Sequence, residues 1–233
     1  MGGQTRPADV TGSARRTAAA RTATGHTAAA GSAPGKTAAR RTTITRPTPA
    51  EVAAAADRLL PDLIAPDLDV LFCGINPGLY SAATGWHFAR PGNRFWPALH
   101  RGGFTPRQFD PAEQAELLDL GLGITNLAAR ASARADELSR DELVQGGREL
   151  VGKVERYRPR WVAVLGVTAY RMAFDRRTAR LGRQPESLGG AGLWVLPNPS
   201  GLNAHFTVDG LAAEFAALRA EVVRPRSPRP AGR

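Results

Sequence analysis

Apolar residues in this chain gather into short runs within Asp69–Gly74, Trp161–Leu165 and Leu193–Leu196, and a fourth stretch, Gly123–Leu127, is apolar but for Thr125 and Asn126. The first three are bounded by Gly, Pro or a charged residue, and none of the four alternates strictly with polar positions. Such runs suit strands buried on both faces. Between them the spacing turns helical. Helices are predicted over 51–60, from Asn93 as N-cap to about 102, over 111–118, from Ser139 to about 157, over 168–174 and over 209–222. Ser139-Arg-Asp-Glu142 is a capping box that opens the fourth of these, and Pro225 ends the last. Strands alternating with helices predict an α/β fold: a three-layer α-β-α arrangement around a central, mostly parallel sheet of four to five strands.

The pattern fails at both ends. Residues 1–48 are Ala, Thr, Arg and Gly with almost no large apolar side chain, and Thr17-Ala-Ala-Ala, Thr27-Ala-Ala-Ala and Thr37-Ala-Ala-Arg echo one another weakly. Such a segment buries too little surface to offset its ordering entropy, so 1–48 is expected to be a disordered basic tail. A domain over 49–223 and a basic C-terminal tail over 224–233 complete the expected organisation. Gly31-Ser-Ala-Pro-Gly35-Lys36-Thr37 resembles a phosphate-binding loop, but it has three residues between its glycines where the motif needs four, and no strand precedes it.

Charge sharpens this division. The 233 residues carry a formal net charge of +10. Residues 1–50 hold 8 Lys/Arg against one acid, and 224–233 hold 4 Arg and no acid. The stretch 51–223 has 19 basic and 20 acidic residues. The excess sits in the ends, where it attracts polyanions without naming a site. Cys73 is the single cysteine, which excludes an internal disulfide and any cysteine-built zinc or iron–sulfur site. The four histidines lack ligand spacing, so no metal and no cofactor is expected. No apolar run approaches the ~18 residues of a membrane span. The expected setting is cytoplasmic and nucleoid-associated, with no membrane partner.

Two of the apolar runs end in the same chemistry. Leu71-Phe-Cys-Gly-Ile-Asn76-Pro-Gly78 and Leu193-Trp-Val-Leu-Pro-Asn198-Pro-Ser200-Gly201 each lead from a strand into an Asn-Pro turn. In an open parallel sheet the carboxyl ends of strands line one crevice, so both turns can face one pocket. Asn-Pro-Gly is also an ordinary turn sequence. An asparagine amide orients water through its carbonyl oxygen but takes up no proton, which suits a reaction with a cationic transition state such as N-glycosidic cleavage. Between the turns lies Trp86-His-Phe88-Ala-Arg90-Pro-Gly-Asn-Arg94-Phe-Trp96. Phe95 and Trp96 read as core. Phe88 sits in a Gly/Pro-bounded loop, where an aromatic ring stacks on a planar base. Arg90 and Arg94 read equally as phosphate contacts or as solvated charges. Leu202, an apolar residue at a loop tip, reads as a wedge for the DNA stack.

Taken together, Gly74-Ile-Asn-Pro-Gly78, Phe88-Ala-Arg-Pro-Gly-Asn-Arg-Phe-Trp96 and Asn198-Pro-Ser-Gly-Leu202 resemble the mismatch-specific uracil-DNA glycosylase and thymine-DNA glycosylase family, within the uracil-DNA glycosylase superfamily. Gly121-Leu-Gly-Ile-Thr125, Gly146-Gly-Arg148 and Leu165-Gly166 fit as well, so the resemblance spans about 67–222. It implies Asn76 as the catalytic, water-positioning residue. It implies base binding by Ile75, Gly78, Ser81, Phe88 and Asn198: Phe88 stacks, Ile75 and Phe88 offer backbone amides, and Ser81 lies beside the base's 5-position. Asn198 stands where fast uracil-specific relatives keep a histidine. Ser200, Gly201, Leu202 and Asn203 form the implied DNA-binding wedge. Some relatives carry Ser-Arg after the wedge leucine, where this chain has Asn203-Ala204, so the arginine that probes the gap is missing. The implied partner is double-stranded DNA with a G·U mismatch or a damaged pyrimidine such as ethenocytosine, met by a monomer. Two alternatives remain at this point: a DNA-binding module on the same fold without catalysis, and a small-molecule enzyme acting on free nucleosides.

Overall fold

The computed structural model describes residues 46–223. Residues 1–45 of the basic tail expected over 1–48, the tail expected over 224–233 and the glycine-lysine segment at 31–37 lie outside the described residues. Among these, five strands form one sheet: β1 (Val70–Gly74), β2 (Leu122–Asn126), β3 (Trp161–Leu165), β4 (Gly182–Leu188) and β5 (Ala191–Leu196), in the order β2-β1-β3-β5-β4. All neighbours are parallel except β4, which runs antiparallel to β5. Among the described residues seven α-helices accompany them: α1 (Pro49–Ala53), α2 (Leu79–Thr84), α3 (Phe95–Arg101), α4 (Glu116–Asp119), α5 (Arg140–Tyr157), α6 (Val167–Ala173) and α7 (Val208–Val222).

Alternation along the strands builds the three layers. Phe72, Ala163, Leu165, Trp194 and Leu196 point to one face, where α3 and α7 supply Phe95, Leu99, Leu211 and Phe215. Leu71, Cys73, Val162, Val164 and Val195 point to the other, against Leu143, Leu150 and Val154 of α5 and Tyr170 of α6. Phe72 centres the first layer, stacked on Phe215 at 5.7 Å and edge-on to Phe95 at 5.6 Å. Two glycines let α5 lie close. A Cβ on Gly146 would stand 2.1 Å from the Leu127 carbonyl oxygen, and one on Gly147 would stand 2.9 Å from that of Ala173. Helix backbone therefore rests directly on the loop that leaves β2 and on the end of α6.

Four local expectations shift. The helix expected over 51–60 stops after Ala53. No side chain of Pro49–Ala53 is buried, and the chain goes on to run beside β2, where Leu63 and Ile124 exchange two backbone hydrogen bonds of 2.9 and 2.7 Å. The helix expected over 111–118 divides into a 3-10 turn at Pro111–Glu113 and α4. At α3 the cap position belongs to Arg94, while Asn93 Oδ1 accepts from Phe95 N at 2.9 Å. Strand β4 and helix α2 were not foreseen. Polar Gly-Arg-Gln-Pro-Glu-Ser-Leu alternates as an edge strand does, with only Gln184 and Leu188 buried, and such a sequence carries little apolar signal.

The site follows from topology. From β1 the chain moves to β2 on one side and then crosses to β3 on the other, so the strand order reverses at the carboxyl end of β1. Ligand crevices form at such switch points.

Candidate active site

At that end of the sheet a cavity of about 130 Å³ is bounded by the turn after β1, the loop carrying Phe88, the end of β2 and the turn after β5. Both Asn-Pro turns therefore do face one pocket, together with the aromatic loop.

Asn76 is half-buried, and its amide is held firmly. Nδ2 donates to the Pro77 carbonyl at 3.0 Å and to Ser132 Oγ at 2.8 Å. A carbonyl only accepts, which assigns nitrogen and oxygen without ambiguity. Ser132 spends its own proton on the Arg134 carbonyl at 2.6 Å and thus also accepts from Asn76. Asn76 Oδ1 has no partner among the described residues, and Asn76 lines the cavity. Ser132 comes from the loop after β2, which continues to pair beside β1: Leu127 N donates to Gly74 O, Ala128 N to Ile75 O and Ser132 N to Pro77 O.

Phe88 has a left-handed backbone (φ 53°), a conformation rare for a bulky residue and typical of functional loops. Three bonds hold the loop there. Ser81 Oγ accepts from Ala89 N at 3.1 Å, Gln114 Oε1 accepts from His87 N at 2.8 Å, and Trp96 Nε1 donates to the His87 carbonyl at 3.1 Å. One face of the Phe88 ring stacks on Phe95 at 4.1 Å, and the ring borders the cavity. Gly74 makes room beneath it: a Cβ there would meet Asn126 Oδ1 at 2.4 Å and Phe88 Cζ at 3.2 Å. Ser81 lies on the cavity wall as expected and, in addition, anchors the aromatic loop. Next to Gly78, at the start of α2, an added Cβ would find open space.

Asn126, the last residue of β2, escaped the sequence reading. It is 6% exposed, lines the cavity, and its Nδ2 has no partner. A buried donor left unmatched costs about 1–3 kcal/mol, so such groups call for an explanation.

The second turn is tied to the aromatic loop. Arg94 is neither solvated nor free for phosphate: its guanidinium donates to the carbonyls of Ser200, Asn203 (2.7 Å) and Phe206. Arg94 N also donates to Pro199 O at 3.0 Å, and a Cβ on Gly201 would press on the Gly92 carbonyl oxygen at 2.7 Å. Within the turn, Asn198 Oδ1 accepts from Ser200 N at 3.0 Å, Ser200 Oγ accepts from Leu202 N, and Asn203 donates to Asn198 O and accepts from His205 N. Asn203 thus spends its amide on the loop, whereas Asn198, which lines the cavity, has no partner for Nδ2 among the described residues. Leu202 stands 69% exposed at the tip. Arg90 is exposed on the cavity rim.

No carboxylate, lysine, cysteine or tyrosine lines the cavity among the described residues. The one histidine, His87, is buried, with Nε2 at 3.0 Å from the Pro61 carbonyl oxygen; burial lowers its pKa, favouring the neutral ring. Cys73 lies beneath the turn, where burial drives its thiol far above the ordinary value. The arrangement therefore offers amides, hydroxyls, an aromatic face and backbone donors, without a strong base.

A family comparison agrees with this geometry. Residues 61–221 match the model of the uracil DNA glycosylase superfamily, whose members are DNA glycosylases acting on DNA in base excision repair. The match runs from the segment beside β2 to the last turn of α7 and takes in every element around the cavity. With more than two thirds of its length covered, this chain belongs to the uracil DNA glycosylase superfamily.

Proposed function

We propose that this protein is a monofunctional DNA glycosylase of the mismatch-specific uracil and thymine-DNA glycosylase branch, releasing uracil opposite guanine and related pyrimidines such as ethenocytosine from duplex DNA. The observation that carries the reading is the locked carboxamide of Asn76. Its nitrogen is consumed by Ser132 and Pro77, which leaves its oxygen unpartnered in a residue that lines the cavity together with Phe88.

In this reading the target nucleotide swings out of the duplex, which costs a few kcal/mol and least for a mismatched pair. Leu202 occupies the vacated place. The base stacks on the cavity side of Phe88. The Phe88 N–H, the unpartnered Asn126 Nδ2 and Asn198 Nδ2 supply donors for its carbonyls. As the N-glycosidic bond breaks, its electron pair passes to the base, and these donors stabilise the growing negative charge. Asn76 Oδ1 accepts a hydrogen bond from a water, whose oxygen bonds to C1′. The water's second proton passes to solvent or to the departing base. Without a general base the enzyme forgoes a factor of about 10²–10⁴, so turnover is slow.

The test uses purified protein on duplexes carrying a single G·U pair, an ethenocytosine or a G·T pair, with alkali-labile breaks as readout. Breaks at the uracil, lost in Asn76→Ala with DNA binding retained, support the reading. Binding without breaks on any substrate replaces it with a non-catalytic DNA module, and cleavage of free nucleosides that plain duplex fails to inhibit replaces it with a nucleoside hydrolase.

A further inference from the structure

Beside the cavity lies a larger groove of about 750 Å³, and Arg134 lines both. Arg134 is the only Lys or Arg on the groove among the described residues. It is lined by a second 3-10 turn, Ala135–Glu137, with Arg134 as its N-cap, and by Ser200, Leu202 and His205 of the loop after β5. This inference rests on the proposed function, in which a strand presents a nucleotide to the cavity with Leu202, a residue that lines both cavity and groove, in its stack.

The Arg134 guanidinium now grips Asp136 with two bonds, Nε to Oδ1 at 3.0 Å and Nη2 to Oδ2 at 2.6 Å. The pair is two residues apart in sequence and well exposed, with 69% and 63% of the two side chains open to solvent. Exposed pairs of this kind are held weakly. The fork that fits a carboxylate fits a phosphodiester equally well. An unpaired Asp136 in this position repels DNA, whereas a paired one is neutralised.

We propose that Arg134 is a phosphodiester-binding residue at the lip of the site, held in reserve by Asp136 and released when a backbone phosphate takes the carboxylate's place. The main-chain carbonyl of Arg134 accepts the Ser132 hydroxyl, so the phosphate contact falls on the loop that holds Asn76.

The test measures binding of undamaged duplex across a salt series for the full chain and for Arg134→Gln, Asp136→Asn and the double variant, with circular dichroism as a check on folding. Arg134→Gln is expected to weaken binding and to reduce the salt slope by about one, the signature of one lost phosphate contact. Asp136→Asn is expected to tighten binding several-fold in the wild-type background, where it removes both the competition for Arg134 and the repulsion of phosphate, and by clearly less beside Arg134→Gln, where only the repulsion is removed. An unchanged slope overturns the proposal, as does a gain from Asp136→Asn that is equal in both backgrounds, because general charge then accounts for it. Base release from a G·U duplex is followed in parallel. Release with an unchanged slope rejects Arg134 alone, and a lowered slope without release rejects the glycosylase reading alone.

Discussion

Ser132 Oγ lies 2.8 Å from Asn76 Nδ2 and fixes the plane of that amide from a loop 56 positions away in sequence. Replacing Ser132 with Ala removes the acceptor while leaving the small, buried side chain nearly unchanged in volume. One hydrogen bond contributes about 1 kcal/mol, so kcat for base release should fall by about five- to tenfold with little change in DNA affinity. Ser132→Thr, which keeps the hydroxyl, should restore it. Single-turnover kinetics on a G·U duplex separates the two quantities, and equal losses in both variants would contradict a positioning role.

Arg94 makes the second long-range tie. Its guanidinium collects three carbonyls of the Leu202 loop. In Arg94→Gln those carbonyls lose a charged donor, each such bond contributing roughly 1.5–3 kcal/mol. We expect a melting temperature lower by several degrees. Base release should suffer more on duplex than on single-stranded substrate, because the wedge loop loses its anchor. A variant with wild-type melting and wild-type duplex preference would show that the loop orders without Arg94.

Leu202→Ala isolates the wedge itself, since Leu202 is exposed and its removal leaves no cavity. The expected loss is greatest for uracil opposite adenine, smaller opposite guanine and absent on single strands, following the energy needed to unpair each target. Equal losses on all three substrates would remove Leu202 from base extrusion.

The cavity contains no group expected to titrate near neutrality. Burial lowers the His87 pKa, so the ring is neutral above its ordinary value of about 6.5. Single-turnover rates should therefore stay flat from about pH 7 to 9. A rise with unit slope in that range would reveal a general base.

Acid should act elsewhere. Arg130 grips Glu142 at 2.5 Å, and together with the Ser139 cap it holds the Glu142 carboxyl down at about 2. A depressed folded pKa adds stability above the unfolded value of about 4.3 and loses it as pH falls toward 2. Glu142→Gln should flatten that part of the stability curve, measured by thermal unfolding from pH 2 to about 5.

The strand ends and the aromatic loop were legible because each combines an apolar run with turn residues, and the sheet then has one way to bring them together. Asn76, Phe88 and Leu202 could be singled out on that basis. Ser132, Asn126 and the grip of Arg94 could not. Each depends on which loop lies beside which, a relation of tertiary contact that leaves no periodicity along the chain. Strand β4 stayed hidden for a different reason: an edge strand needs only one apolar face, and this one contains a proline.

The missing side chain at Gly146 has a reach beyond packing. Helix backbone there meets the Leu127 carbonyl, at the root of the segment that ends in Ser132. Even a methyl group would lever that segment outward and carry the Ser132 hydroxyl, and with it the grip on Asn76, out of alignment. The set of the Asn76 amide is thus governed from helix α5, by a residue that contributes nothing but absence.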